Sequence, residues 1–370
     1  MVCVTHRIHR DHLADGRDII YVDDPATALP DQRKKDSREL DSRPDTARMR
    51  QDPLSGEWVS IAAARQNRVM LPPVDADPLA PQSPNNPSEV PDNYDVVVFE
   101  NRSPSFGPLS EFSAEVDSDD LNRIGFGKEL PAVGRCEVVC FSPAHDGSFG
   151  SLSAERARTV MEAWANRTEE LMALPGVEQV FVFENRGEEI GVTLGHPHGQ
   201  IYAYPFVTPR TSRLLDSINK VGSQFFEDLL AFEQSGPRVV KQTENFTALV
   251  PFAARWPLEL HILPHRHVPD IAGLSSAERD ELSSFYLELV RSFDRLYETP
   301  TPYIAAWHQA PKSTGRDEVR LMVQITSPRR AADKLKYLAG SEAAMGAFIA
   351  DVSPEDQAAK FREALEKGNQ

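Results

Sequence analysis

The chain has 370 residues, and 40 lysines and arginines against 56 aspartates and glutamates leave a formal net charge of −16. That excess excludes a chain built to neutralise a nucleic-acid backbone or an anionic membrane surface. No run reaches the ~18 to 20 apolar residues of a bilayer span, and the N-terminus lacks the apolar middle of a secretion signal. Three cysteines, Cys3, Cys136 and Cys140, are too few and wrongly placed for a disulfide framework. A soluble, cytoplasmic protein with no nucleic-acid or membrane partner is expected.

In chain order, residues 1–45 read as a polar N-terminal arm with one strand, at its apolar island Ile19 to Val22. The folded body opens with a turn at Asp52 to Gly56 and a strand at Glu57 to Ile61. Seven prolines between Pro72 and Pro91 forbid helix and central strand alike, so that stretch reads as a surface loop before the apolar run Val96 to Phe99. A strand follows at Val138 to Phe141. The next helix carries Ala157, Val160, Met161, Trp164 and Leu171 on one stripe and stops at Pro175-Gly176, before strands at Val180 to Phe183 and Ile201 to Tyr204. A second pass has a strand at Leu258 to Leu263, then a helix with the capping pair Ser275 and Glu278. Leu282, Phe285, Leu289, Phe293 and Leu296 line one face of that helix, and strands at Tyr303 to Trp307 and Val319 to Ile325 complete the pass.

The two passes overlay. Glu137 and Glu259 each sit eight residues before a histidine, His145 and His267, and both are followed by Leu-Ser and then Ala-Glu-Arg. Counting 41 or 42 residues past Glu155 and Glu278 reaches His196-Pro-His198-Gly-Gln200 in the first copy and Arg320-Leu-Met322-Val-Gln324 in the second. An internal duplication is expected, with only the first copy keeping its histidines.

The sharpest feature is Gly195-His196-Pro197-His198-Gly199-Gln200. Alternate residues of an extended segment share a side, and the glycine is read as letting an anionic ligand approach the backbone. An imidazole is mostly neutral near pH 7, can attack phosphorus, and leaves readily from the phosphoramidate that results. Gln200 can donate its amide to a phosphate oxygen without adding charge. Taken alone, the histidine pair reads as structural or as a two-ligand fragment of a metal site rather than as a nucleophile. His261, His265 and His267 invite a metal reading too, although without a nearby cysteine they read as packed or surface histidines; Cys136 and Cys140 read as buried thiols on one side of a strand.

His196-Pro-His-Gly-Gln200 resembles the signature of the galactose-1-phosphate uridylyltransferase family, the transferase branch of the histidine-triad superfamily. Asp52 to Val59, Phe99 to Arg102, Cys140 to His145, Phe183 to Asn185, Trp307 to Pro311 and Lys336 to Glu342 resemble further family blocks in order, over roughly residues 46 to 366. The resemblance implies that His198 is the nucleophile taking a uridylyl group from UDP-glucose and passing it to galactose 1-phosphate. It further implies that Gln200 is the phosphate-oxygen donor and that His196 supports catalysis. Asn101, Arg102, Asn185, Gly191, Val192 and Thr193 match nucleotide-sugar contacts. Arg65 and Arg68 match a basic pair reaching a neighbouring subunit, and Lys336, Tyr337, Ser341 and Glu342 match the segment that holds hexose and phosphates. A homodimer is implied.

Departures from the family pattern concern metals. The family's zinc-bearing members place Cys-x-x-Cys where this chain reads Asp77-Pro78-Leu79-Ala80. His145 and His196 match the remaining zinc ligands and Asp77 could supply an oxygen, but this set is weaker than a four-ligand thiolate site, so zinc is doubtful. A second metal site in relatives uses Trp-His and a later His-x-His; His308 is present, but Met322 and Gln324 replace the later pair, and no second metal is expected. The expected fold is α+β: two histidine-triad-like halves, a catalytic one over 46–209 and an architectural one over 210–370, each an antiparallel sheet with a packed helix. The rival readings are a related nucleotidylyltransferase or phosphorylase with another nucleotide sugar, a hydrolase of nucleotide conjugates, and a non-catalytic nucleotide-sugar-binding homologue.

Overall fold

The computed structural model describes residues 6–28, 32–43, 46–63, 71–107 and 123–368; Cys3, Arg65 and Arg68 lie outside them. Short extended runs and two long amphipathic segments set the element order. First come β1 (Arg7–His12), β2 (Asp18–Asp23), β3 (Arg48–Gln51), β4 (Trp58–Ile61), β5 (Val96–Glu100), β6 (Glu129–Pro131), β7 (Arg135–Cys140), helix α1 (Ala154–Ala173), β8 (Gln179–Arg186) and β9 (His198–Tyr204). Then follow α2 (Pro209–Val221), α3 (Phe225–Gln234), β10 (Val239–Gln242), β11 (Phe246–Leu249), β12 (Leu258–Pro264), α4 (Ser276–Tyr297), β13 (Tyr303–His308) and β14 (Met322–Ser327). The chain closes with β15 (Arg329–Ala331), β16 (Lys334–Leu335), α5 (Gly340–Met345) and α6 (Pro354–Lys367). Both long helices start on a serine whose hydroxyl accepts a backbone N–H three residues on, Ser153 from Arg156 and Ser275 from Glu278. No helix among the described residues is long and apolar enough to cross a membrane.

Eleven strands form one sheet in the order β1-β2-β5-β7-β9-β8-β13-β14-β12-β11-β10, and every neighbouring pair in it is antiparallel. From β2 to β10 the order is a palindrome about the β8·β13 junction, which is how the duplication appears in three dimensions. Helices α1, α4 and α6 cover one face. There Trp164, Trp307, Tyr286 and Phe149 are fully buried, with Phe149 and Trp164 stacked 5.5 Å apart.

The other face is covered differently in each half. Over the first half lies the proline-rich segment expected as a surface loop, but Leu79, Val90 and Tyr94 are buried against Val97, Phe99 and Cys140. That segment is therefore a lid on the sheet rather than a free loop. Over the second half lie α2 and α3, packed through Ile218, Phe226 and Leu230 onto Leu249 and Leu263.

Three further expectations change. The arm of residues 1–45 has its expected strand at Ile19 to Val22 but adds a second, β1, and the hairpin β1·β2 is not a free arm, because β2 pairs with β5 and is buried in the sheet. The last strand begins at Met322 rather than Val319, because the Leu321 amide donates to Val268 O and the Arg320 guanidinium to the Pro264 and His265 carbonyls. The overlay of Glu137 on Glu259 is one residue out. Gln200 stands opposite Val138, and its counterpart Gln324 stands opposite His261. One residue of slip reverses a side chain's face. Glu137 thus meets Arg167 of α1 on the helical side, while Glu259 points to the other face, where it meets His261 and Gln324.

At the palindrome's centre, Glu184 is buried, accepting from the Phe149 amide at 3.1 Å and the Tyr303 hydroxyl at 3.0 Å. Burial pushes its carboxyl up to about 7. Because the folded value is raised above the unfolded one of about 4.3, the group's contribution is fully present below that pH and lost as pH rises through about 7. On the order of 3 kcal/mol is at stake. Urea titrations should show wild type losing stability relative to Glu184→Gln between pH 5 and pH 8; parallel pH profiles would refute the assignment.

Candidate active site

Strand β9 alternates in its exposure, so His198 and Gln200 share the face away from the helices while Gly199 points at them. A Cβ on Gly199 would stand 2.8 Å from the Phe141 ring and 2.9 Å from Phe183 O. The glycine is therefore required by core packing beneath the site, and the expected role in ligand approach is corrected. His198 Nδ1 lies 2.7 Å from the His196 carbonyl. A carbonyl only accepts, so Nδ1 carries the proton and Nε2 the lone pair, which is the tautomer a nucleophile needs. The Gln200 amide lies on the same face, its Oε1 3.4 Å from the Tyr202 hydroxyl.

His196 itself is buried. Asp77 Oδ2, from the lid, lies 2.7 Å from His196 Nδ1 and 2.9 Å from His145 Nδ1, and the Tyr94 hydroxyl lies 2.8 Å from His196 Nε2. Burial works against the Asp77 carboxylate, but bonds from His196, the Leu79 amide and His145 hold its pKa down at about 2. An ionised carboxylate accepts, so both Nδ1 atoms present protons to it. Zinc needs lone pairs there, so its binding would have to displace both protons. The three candidate ligands are brought together as a hydrogen-bonded cluster, and among the described residues no group of three or more His, Cys, Asp or Glu side chains is disposed to hold a metal ion.

A cavity of about 440 Å³ opens over this face, lined by His198 and Gln200 together with Asn101, Arg102, Asn185, Gly191, Val192 and Thr193. Residues up to about a hundred positions apart converge because β5, β7, β9 and β8 are neighbours in the sheet. Sequence reasoning missed Arg17, Glu89, Phe99, Val138 and Phe183 in the same wall. Arg17 is buried, donating to Glu100 O at 2.8 Å and pairing with Asp15 and Glu89. The Asp15-Gly16 pair, a hairpin-turn signal, could have revealed its hairpin. Lys336, Tyr337, Ser341 and Glu342 are not brought to this cavity. Lys336 and Tyr337 line a separate pocket, and Lys336 Nζ pairs with Glu342 Oε1 at 3.2 Å.

Elsewhere, His265 and His267 bond Thr247 Oγ1 and Val319 O. His308 Nε2 lies 3.2 Å from Gln324 Oε1, and burial, with repulsion from Arg210, lowers its pKa to about 3. Cys136 and Cys140 are both buried.

In this duplicated antiparallel sheet, an imidazole with Nδ1 bound to a backbone carbonyl lines a cavity beside an amide, a disposition suited to nucleophilic attack on a bound anion. The chain matches the family model described as Galactose-1-phosphate uridyl transferase, N-terminal domain, over residues 35–208 and the corresponding C-terminal domain model over 213–367. It belongs to the galactose-1-phosphate uridyl transferase family. Proteins named galactose-1-phosphate uridylyltransferase are 43% identical in Streptomyces lividans, covering 96% of this chain and 97% of that protein, and 35% identical in Thermotoga maritima, covering 85% and 98%. A solved structure titled "Structure of uridylyltransferase" superposes with a TM-score of 0.74 at 30% identity, covering 87% of this chain and 100% of that one.

Proposed function

We propose that this chain transfers a uridylyl group from UDP-glucose to galactose 1-phosphate through a uridylyl-histidine on His198. The observation that carries the reading is the Nδ1 proton of His198 committed to the His196 carbonyl, inside a cavity lined by a family-matched set of residues. In the first half-reaction Nε2 bonds to the α-phosphorus as its bond to the bridging oxygen breaks, and glucose 1-phosphate leaves with that oxygen. The ring becomes cationic, which strengthens the Nδ1–H bond to the carbonyl. In the second, a phosphate oxygen of galactose 1-phosphate attacks the same phosphorus and the N–P bond breaks, returning imidazole. Gln200 Nε2 donates to a non-bridging oxygen where charge accumulates. Asp77 and Tyr94 hold His196, and through its carbonyl they position the nucleophile. UDP-glucose labelled in the α-phosphate should leave an acid-labile, alkali-stable protein adduct in the absence of acceptor; free labelled UMP as the sole product would indicate hydrolysis and defeat the reading.

The reaction proceeds without zinc: the Asp77 cluster supplies by hydrogen bonds the rigidity a metal would give. Protein treated with a strong chelator and shown metal-free by elemental analysis should keep its exchange rate, and a rate restored only by added zinc would contradict this. The working protein is cytoplasmic and a homodimer, in which the Lys336 to Glu342 segment serves a neighbouring copy's cavity, since it does not line its own. Light scattering should give twice the chain mass of 41.2 kDa, and a monomer of full activity would rule the dimer out.

A further inference from the structure

We propose that the second half holds a separate, non-catalytic pocket for a nucleoside phosphate, at the site that duplication makes equivalent to the catalytic cavity. Strand pairing sets the equivalence. Gln200 stands opposite Val138 and Phe183, and Gln324 stands opposite His261 and Ala306. Following the ladders, His198 corresponds to Met322, Val138 to His261, Asn185 to His308, and Phe99 to Leu249. Met322, His261, His308 and Leu249 all line one cavity of about 450 Å³ beneath α2 and α3, as their counterparts line the cavity of about 440 Å³. The space that holds substrate in the first half has been retained in the second, with a thioether where the nucleophile stood.

The retained space has its own chemistry. Arg210, on the first turn of α2, and Arg255 both line it with largely exposed side chains, near enough in charge that desolvation and then repulsion from Arg255 lower the Arg210 pKa against attraction from Glu259. Among the described residues neither has an ion-pair partner; Arg255 lies over the Phe348 ring. Glu233 in the lining is paired with Arg238, and Glu259, outside the lining, bonds His261 and Gln324 while its charge also reaches Arg210. Two like charges held together over an apolar floor, beside a helix start, fit a ligand with an anionic end and an apolar ring. The choice of a nucleoside phosphate rests on the proposed reading of the first cavity.

Equilibrium dialysis of the full chain with radiolabelled UMP, which has no leaving group for transfer, tests this. Two sites per chain are expected. The double variant Arg210→Glu, Arg255→Glu should keep one, with uridylyl exchange within about twofold of wild type; Leu214→Trp, which fills the cavity without changing charge, should do the same. One site in wild type, or two in both variants, overturns the inference. Inorganic phosphate competing at the second site as well as UMP does would also overturn it, by leaving an anion site with no nucleoside preference. A missing His198 adduct with two UMP sites would count against the proposed activity alone.

Discussion

Replacing His198 by alanine is expected to lower uridylyl exchange by at least ~10³-fold, and with it the adduct, while leaving the fold intact. The side chain is half-buried at the edge of a cavity, so truncation opens no core void. What is lost is, among the described residues, the one imidazole of the cavity wall, whose tautomer is fixed by a backbone acceptor. Binding should survive, because Asn101, Arg102, Asn185, Gln200 and the Gly191 to Thr193 turn remain. The expected signature is an unchanged unfolding midpoint, UDP-glucose binding within a few-fold of wild type by calorimetry, and no label on the protein. Substantial exchange by the variant would remove the covalent route and require direct transfer between the two substrates.

Glu137→Gln is expected to cost about 3 kcal/mol of stability without altering turnover per folded molecule. Glu137 is fully buried, and although burial raises its pKa, Arg167 at 2.8 and 2.9 Å and Arg135 at 3.1 Å hold it lowered. Removing the carboxylate leaves two guanidinium groups short of a partner beneath the sheet, an expensive arrangement in low dielectric. The figure sits at the lower end of the usual range because Arg135 keeps Asp18 and Glu100, and Arg167 keeps Glu170. Urea midpoints at pH 7 measure it. A change below about 0.5 kcal/mol would mean that attraction and desolvation nearly cancel here.

Periodicity and capping made both long helices legible, since a serine cap and a stripe of apolar residues are local physics. The role of His198 as nucleophile followed from the motif's resemblance to the uridylyltransferase family, whereas the shared face of His196, His198 and Gln200 was legible because alternate residues of a strand point the same way. The role of Gly199 was not, because it depends on Phe141, a residue that only sheet pairing brings beneath it. Arg17 was missed because the arm's polar composition suggested solvent, whereas β2 is buried through its pairing with β5.

By itself the chain determined its repeat and its helices and strands, which follow from spacing and residue type within short windows, and it carried the His196 to Gln200 motif whose family resemblance implies the roles of His198 and Gln200. Tertiary structure alone decided that Asp77 joins two distant imidazoles by hydrogen bonds, that the faces of Glu137 and Glu259 are opposite, and that a second cavity persists beneath α2 and α3. Each of these depends on strand register and on contacts between residues far apart in sequence, where one residue of slip exchanges core for cavity.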